Sequence, residues 1–183
     1  MVDMWFTSDW HLFHENIIKW HGRPFDNAQH MNEVLITLHN ERVKPQDHVY
    51  NLGDVTMLRG SGAHQVEPLL QRFNGHKRLV LGNHDHCPVE WYRRFFEKIK
   101  AVNVLDQIIF THIPIHPQSL GRFKANVHGH FHSNPSPLSM HRIDPTTQQE
   151  RVVPYVNVCV EVTDYRPISL EEVKQRIRLA IAT

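Results

Sequence analysis

Five short blocks of this 183-residue sequence carry side chains of the kind that hold divalent cations: SDWH (8–11), GD (53–54), GNHD (82–85), TH (111–112) and GHFH (129–132). Carboxylates, imidazoles and amide carbonyls suit manganese, iron, nickel or zinc. A thiolate zinc site is not an option, because Cys87 and Cys159 stand alone with no CxxC pair. The last block lies within NVHGHFH (126–132), which has three histidines at every second position and Gly129 between the first two. Alternation places His128, His130 and His132 on one face of a strand, while the glycine points to a sharp turn or a close backbone approach. Spacing alone leaves open which of the three would bind a metal.

Residues so far apart in the chain need a scaffold that gathers them. Apolar or β-branched runs predict strands at 4–7, 48–52, 78–81, 108–111, 126–128 and 152–162. Amphipathic patterns between them predict helices at 28–43, 65–73 and 90–98, and Ser169 followed by Glu172 reads as a capping box opening a last helix over 169–180. The turn-rich stretch 133–145 (SNPSPLSMHRIDP) reads as a loop. Alternating strands and helices mean an α/β layered fold. Asp9, Asp54, Asn83, His112 and His130 each fall at or just after the end of a predicted strand, where ligands of open α/β sheets gather. Separate loops can therefore converge on one site.

Composition sets the outer bounds. The length fits one domain with an ordinary core. Sixteen histidines is several times average usage, which points to metal chemistry. A net charge of +1 gives no broad basic field and argues against duplex nucleic acid as a partner, while a small anionic substrate stays compatible. Two isolated cysteines fit two buried thiols in a reducing compartment. No apolar run approaches the ~20 residues of a membrane span, and MVDMWFTSD lacks the pattern of a signal peptide, so a cytoplasmic location is expected.

The ordered set of blocks resembles the calcineurin-like metallophosphoesterase superfamily, whose signature runs DxH, GD, GNH(D/E), H and GHxH. The resemblance covers about residues 9–132, and NIIKWHGRPF (16–25), HVYNLGDV (48–55) and NVCVEVTDYRPISLEEV (157–173) look like small single-domain bacterial and phage members. It implies an α/β/β/α sandwich of two mixed sheets flanked by helices, with one domain over 1–183. It also implies two divalent metals, Mn2+ favoured: Asp9, His11 and His132 on the first, Asn83, His112 and His130 on the second, and Asp54 bridging them. His84 would face the substrate as the catalytic group, and His128 would be a packing residue outside the ligand set.

A pair of ions set ~3.5–4 Å apart can clamp a phosphate and activate a water between them for in-line attack on phosphorus. The protein serine/threonine phosphatase branch carries GDxxDRG at its second block, whereas this chain reads GDVTMLRG, with Met57 in place of the supporting aspartate and Leu58 in place of the arginine. The expectation is therefore a phosphodiesterase acting on small nucleotide esters, cyclic ones included, or related phosphate esters. The alternatives are a phosphomonoesterase, less favoured a phosphoprotein phosphatase or a nuclease, and, from a different class, a metal-bound scaffold without catalysis. Arg23 and Asn16 are the candidates for touching substrate, and His14, just after the first metal block, is either a pocket residue or an ordinary polar residue at a helix start. Asp85 is expected to be structural, His86, His116 and His141 to lie at the rim or surface, and His21 to be solvated or packed.

Overall fold

A computed structural model of the chain describes residues 2–144 and 146–182. The strands form two five-stranded mixed sheets. In the first, β1 (Met4–Thr7), β2 (His48–Asn51), β3 (His76–Val80) and β4 (Lys98–Lys100) run parallel, and the two-residue β10 (Ile168–Ser169) pairs antiparallel with β1. In the second, β6 (Ile108–Thr111), β7 (Ala125–His128) and β9 (Glu150–Asn157) run parallel, with β5 (Asn103–Leu105) and β8 (Ser139–Ile143) antiparallel at the edges.

Buried side chains hold the sheets face to face. Phe6 and Phe110, one from each sheet, stack with ring centroids 4.7 Å apart, and Tyr50, Val80, Val127 and Val156 fill the same layer. A second core lies on the outer face of the first sheet, where Met31, Leu35 and Ile36 of α2 (Ala28–Arg42) and Leu69 and Leu70 of α3 (Glu67–Arg72) meet Trp10, Phe73 and Leu79. The helix α5 (Leu170–Ala182) packs along β9 and the β10–β1 edge. Its capping box is formed: Ser169 N–H donates to Glu172 Oε2 at 2.7 Å and Glu172 N–H to Ser169 Oγ at 3.2 Å.

Several expectations need correcting. The helix expected over 90–98 is the single turn α4 (Val89–Tyr92), because 98–100 pairs with β3 and Phe96 packs from a turn. The strand expected over 152–162 starts two residues earlier and ends at Asn157, and Val160–Val162 is a 3-10 turn. The stretch 133–145 contains β8, an edge strand whose half-exposed side chains give no clean alternation; Pro145 lies outside the described residues. The helix α1 (Glu15–His21), which ends on left-handed Gly22, was not expected from periodicity. Among the described residues no helix is long and apolar enough to cross a membrane.

Candidate metal centre

The ends of the parallel strands deliver their loops to one place. β1 leads into Asp9 and His11, β2 into Asp54, β3 into Asn83 and His84, β6 into His112 and β7 into His130 and His132. Asp9, His11, Asp54, His130 and His132 all adopt positive φ, between 49 and 70°. Non-glycine residues pay about 1–3 kcal/mol each for such backbone, which persists where the surroundings impose it and clusters at functional sites. The turns are pinned by Asp9 N–H to Gly53 O at 2.9 Å and His11 N–H to Asp54 O at 3.0 Å. Gly129 is required because a Cβ there would fall on Ser8 Oγ and Asp9 Oδ2.

Two clusters of ligand atoms result. Asp9, His11 and His132 form one and Asp9, Asp54 and His112 the other, all five residues buried and the atoms within each cluster no more than 4.8 Å apart. Asp54 Oδ2 lies 3.4 Å from His11 Nε2 and 3.3 Å from His112 Nε2, between the two, while its Oδ1 accepts from His84 N–H at 2.8 Å. Asp9 Oδ1 lies 3.4 Å from His132 Nε2, and its Oδ2 accepts from His130 N–H at 3.0 Å. Asn83 Oδ1 sits 2.8 Å from His112 Nε2. The His130 ring packs against that of His112 at 5.2 Å without joining either cluster.

Asp9 Oδ1, His11 Nε2 and Asp54 Oδ2 are buried with no hydrogen-bond partner. Burying such atoms unpaired is costly, and buried polar groups in folded proteins are almost always satisfied. Three of them facing one another among carboxylates and imidazoles fit divalent cations. The imidazole tautomers agree: His112 Nδ1 lies 2.7 Å from Leu52 O and His132 Nδ1 lies 2.8 Å from Glu161 Oε1. An acceptor at Nδ1 keeps the proton there and leaves the Nε2 lone pair free for a metal. His11 Nδ1 meets His14 Nδ1 at 3.3 Å, and burial holds the His14 pKa down at about 4, so neutral His14 can accept from His11.

Charge is balanced locally. Burial opposes ionisation of Asp54, but the His11 and His112 imidazoles beside it outweigh burial and hold the carboxyl well below its usual range. Burial likewise disfavours charge on His112, yet Asp54 and Asp9 raise its pKa to about 9. Metal binding at such a site displaces protons from the imidazoles. For His84, burial lowers the pKa and Asp54 partly offsets it.

Arg23 departs from expectation. Its side chain is fully buried, with Nε and one terminal nitrogen donating to Glu161 Oε1 at 2.9 and 2.7 Å, and the two terminal nitrogens donating to Trp10 O and Asp9 O at 3.0 and 2.8 Å. The guanidinium is thus spent on the protein and has nothing left for a substrate phosphate. Asn16 is exposed on α1. His21, expected only as solvated or packed, stacks on His132 with centroids 4.1 Å apart and meets Ser133 Oγ at 3.2 Å.

His128 is buried at the end of β7, with Nδ1 2.8 Å from Gly129 O, outside both clusters. Asp85 ties the loops together: Oδ2 accepts from the N–H groups of Asp54 and Gly82 at 3.0 and 2.8 Å, and Oδ1 from Val55 N–H at 2.9 Å and Tyr92 O–H at 3.2 Å. Sequence reasoning missed Glu161 and the role of Cys159, whose buried Sγ donates to Asp9 Oδ2 at 3.1 Å. Both lie in 157–173, and no spacing rule ties that stretch to the metal blocks.

The sequence model of the calcineurin-like phosphoesterase family matches residues 3–157, and the chain belongs to that family. An uncharacterized protein of Methanocaldococcus jannaschii is 33% identical over 93% of this chain and 89% of its own length. The gene 66 protein of Mycobacterium phage L5 is 29% identical over 77% of this chain and 82% of its own. A crystal structure of a protein of unknown function from Aquifex aeolicus superposes with a TM-score of 0.69 at 26% identity, covering 96% of this chain and 99% of that one.

Proposed function

We propose that the whole chain is a phosphodiesterase that uses two divalent metal ions, Mn2+ favoured, to hydrolyse small phosphate diesters such as nucleotide esters. The observation that carries it is the trio of buried, unpartnered atoms, Asp9 Oδ1, His11 Nε2 and Asp54 Oδ2, facing one another in a family of metal-dependent phosphoesterases. Asp9, His11 and His132 would hold one ion, Asn83, His112 and His130 the other, and Asp54 Oδ2 both. When bound, the ions supply Lewis acidity that draws phosphate oxygens in and lowers the pKa of water.

The chain's own residues do the rest. Asp54 holds the His84 backbone through its second oxygen, which places the His84 ring 5.7 Å from that of His11. From there His84 would donate a hydrogen bond to the leaving oxygen, or a proton when the ring is protonated. Met57, at the position where the phosphoprotein branch has an aspartate, brings no charge to His84, which favours the small-ester reading.

Protein loaded with Mn2+ is expected to hydrolyse bis-p-nitrophenyl phosphate faster than p-nitrophenyl phosphate at equal metal content. His84→Asn is expected to lose about 100-fold or more with both metals retained. A preference for the monoester would replace this reading with a phosphomonoesterase, and no turnover of either ester with any of Mn2+, Fe2+, Ni2+ or Zn2+ would end the catalytic reading.

A further inference from the structure

The first sheet carries an unusual row of side chains on the face turned toward the second sheet. In register across the strands, Phe6 of β1 neighbours Tyr50 of β2, Tyr50 neighbours Arg78 of β3, and Arg78 neighbours Lys98 of β4. The row thus passes from the aromatic core to two adjacent cations at the sheet edge. Lys100, two residues on from Lys98, shares its face. Like charges opposite each other on neighbouring strands destabilise a sheet.

These cations surround a cavity of about 200 Å³, lined by Arg78, Lys98, Lys100, Tyr50, Asn103 and Val104 among others. Among the described residues none of the three makes an ion pair, while Glu97, the acid that feels Arg78, is hydrogen-bonded to His76. Arg78 lies 5.0 Å over the Tyr50 ring, bonds Tyr50 Oη through one terminal nitrogen, and meets His48 Nδ1 at 3.3 Å through the other. Its Nε is buried with no partner. Lys100 Nζ reaches only the neutral Asn103 Oδ1, at 3.1 Å. An oriented guanidinium whose terminal nitrogens keep N–H groups beyond these two contacts, two exposed lysines and no carboxylate among the lining residues suit an anion.

We propose that this cavity binds a compact phosphate-type anion, either free phosphate or the phosphate group of a nucleotide, separately from the metal centre. Arg78 supplies the fixed, oriented donor, and Lys98 and Lys100 close over the anion from β4. The anion also relieves the repulsion within the cationic row. None of the lining residues belongs to the metal clusters, so the proposal stands or falls independently of the catalytic reading.

The test is calorimetric titration of the metal-stripped protein, at low ionic strength, with inorganic phosphate, pyrophosphate and adenosine monophosphate in separate runs. Saturable binding at one site is expected, unchanged in Asp54→Asn and weakened by about tenfold for each lysine replaced in Lys98→Gln and Lys100→Gln, the order expected for loss of a charge-assisted hydrogen bond. Both lysines are exposed, so these variants keep the fold. Equal affinity for phosphate and the nucleotide identifies the phosphate group alone as the ligand, and tighter nucleotide binding identifies the nucleotide. No saturable binding, or binding that survives both lysine changes and is lost in Asp54→Asn, overturns the proposal.

Discussion

Glu161→Gln tests how the metal centre is held in place from behind. One oxygen, Glu161 Oε1, accepts from His132 Nδ1 at 2.8 Å and from Arg23 at 2.9 and 2.7 Å, while the Arg23 side chain is wholly buried. Burial works against the carboxylate, but His132 and Arg23 outweigh it and hold its pKa at about 2. The substitution keeps the shape and one acceptor oxygen but removes the charge, leaving the guanidinium buried without a counterion. Removing one partner of a buried pair costs about 3–5 kcal/mol, and the retained acceptor places this case near 3. For a chain of this size that is roughly 6–12 °C in Tm. The His132 imidazole also loses the group that fixes its proton on Nδ1, and metal affinity falls by about 10- to 100-fold.

The assay is thermal unfolding in chelator together with Mn2+ titration of stripped protein. A pH series sharpens it. The folded-state pKa of Glu161 lies below its ordinary 4.5, so its contribution is fully present above pH 4.5 and is lost as pH falls toward 2. Glu161→Gln therefore removes that part of the acid destabilisation. A Tm within about 2 °C of the parent and unchanged metal affinity would refute the argument that Glu161 neutralises Arg23 and orients His132.

Three further outcomes follow from the same geometry. Gly129→Ala drives a methyl group onto Ser8 Oγ and Asp9 Oδ2 and is expected to cost about 1–3 kcal/mol in urea unfolding, whereas equal or greater stability would show that the backbone gives way there. His128→Ala is expected to keep full metal content while losing stability, and His130→Ala to lose metal; metal analysis showing the reverse order would reassign the two histidines. Asp85→Asn turns an amide N–H2 toward donors that Asp85 now accepts and is expected to cost about 1–3 kcal/mol and to loosen the Asp54 loop, detectable as faster amide exchange at Asp54 and Val55.

How much could be read from the sequence depended on the range of the signal. The central parallel strands β1, β2, β6 and β7 end within about a residue of expectation, because each is a buried apolar run stopped by a polar, metal-type residue. Edge strands were missed. β4 and β8 pair on one side only; β4 is too short, at three residues, for its alternation to stand out, and the half-exposed side chains of β8 give none to read. The aromatics 91–96 mimic a longer helix, but the chain turns there to add a fourth parallel strand.

Within the site, Asp9, His11, Asp54, Asn83, His112 and His132 come together as the motif order implied, since strand ends in a parallel sheet share one side. Arg23 was misjudged because its partner Glu161 lies 138 residues away, and nothing local distinguishes an arginine bound for a buried carboxylate from one bound for a substrate. In NVHGHFH the strand stops at His128, and positive φ at His130 and His132 replaces the alternation that the spacing suggests.

In the proposed centre two ions would share Asp54. Metal analysis of stripped protein reloaded with Mn2+ tests it most directly, with the wild type and Asp54→Asn measured side by side. Two equivalents per chain are expected in the wild type and one or fewer in the variant, with the fold intact by circular dichroism. Two tightly held equivalents in Asp54→Asn, or no more than one in the wild type, would contradict it.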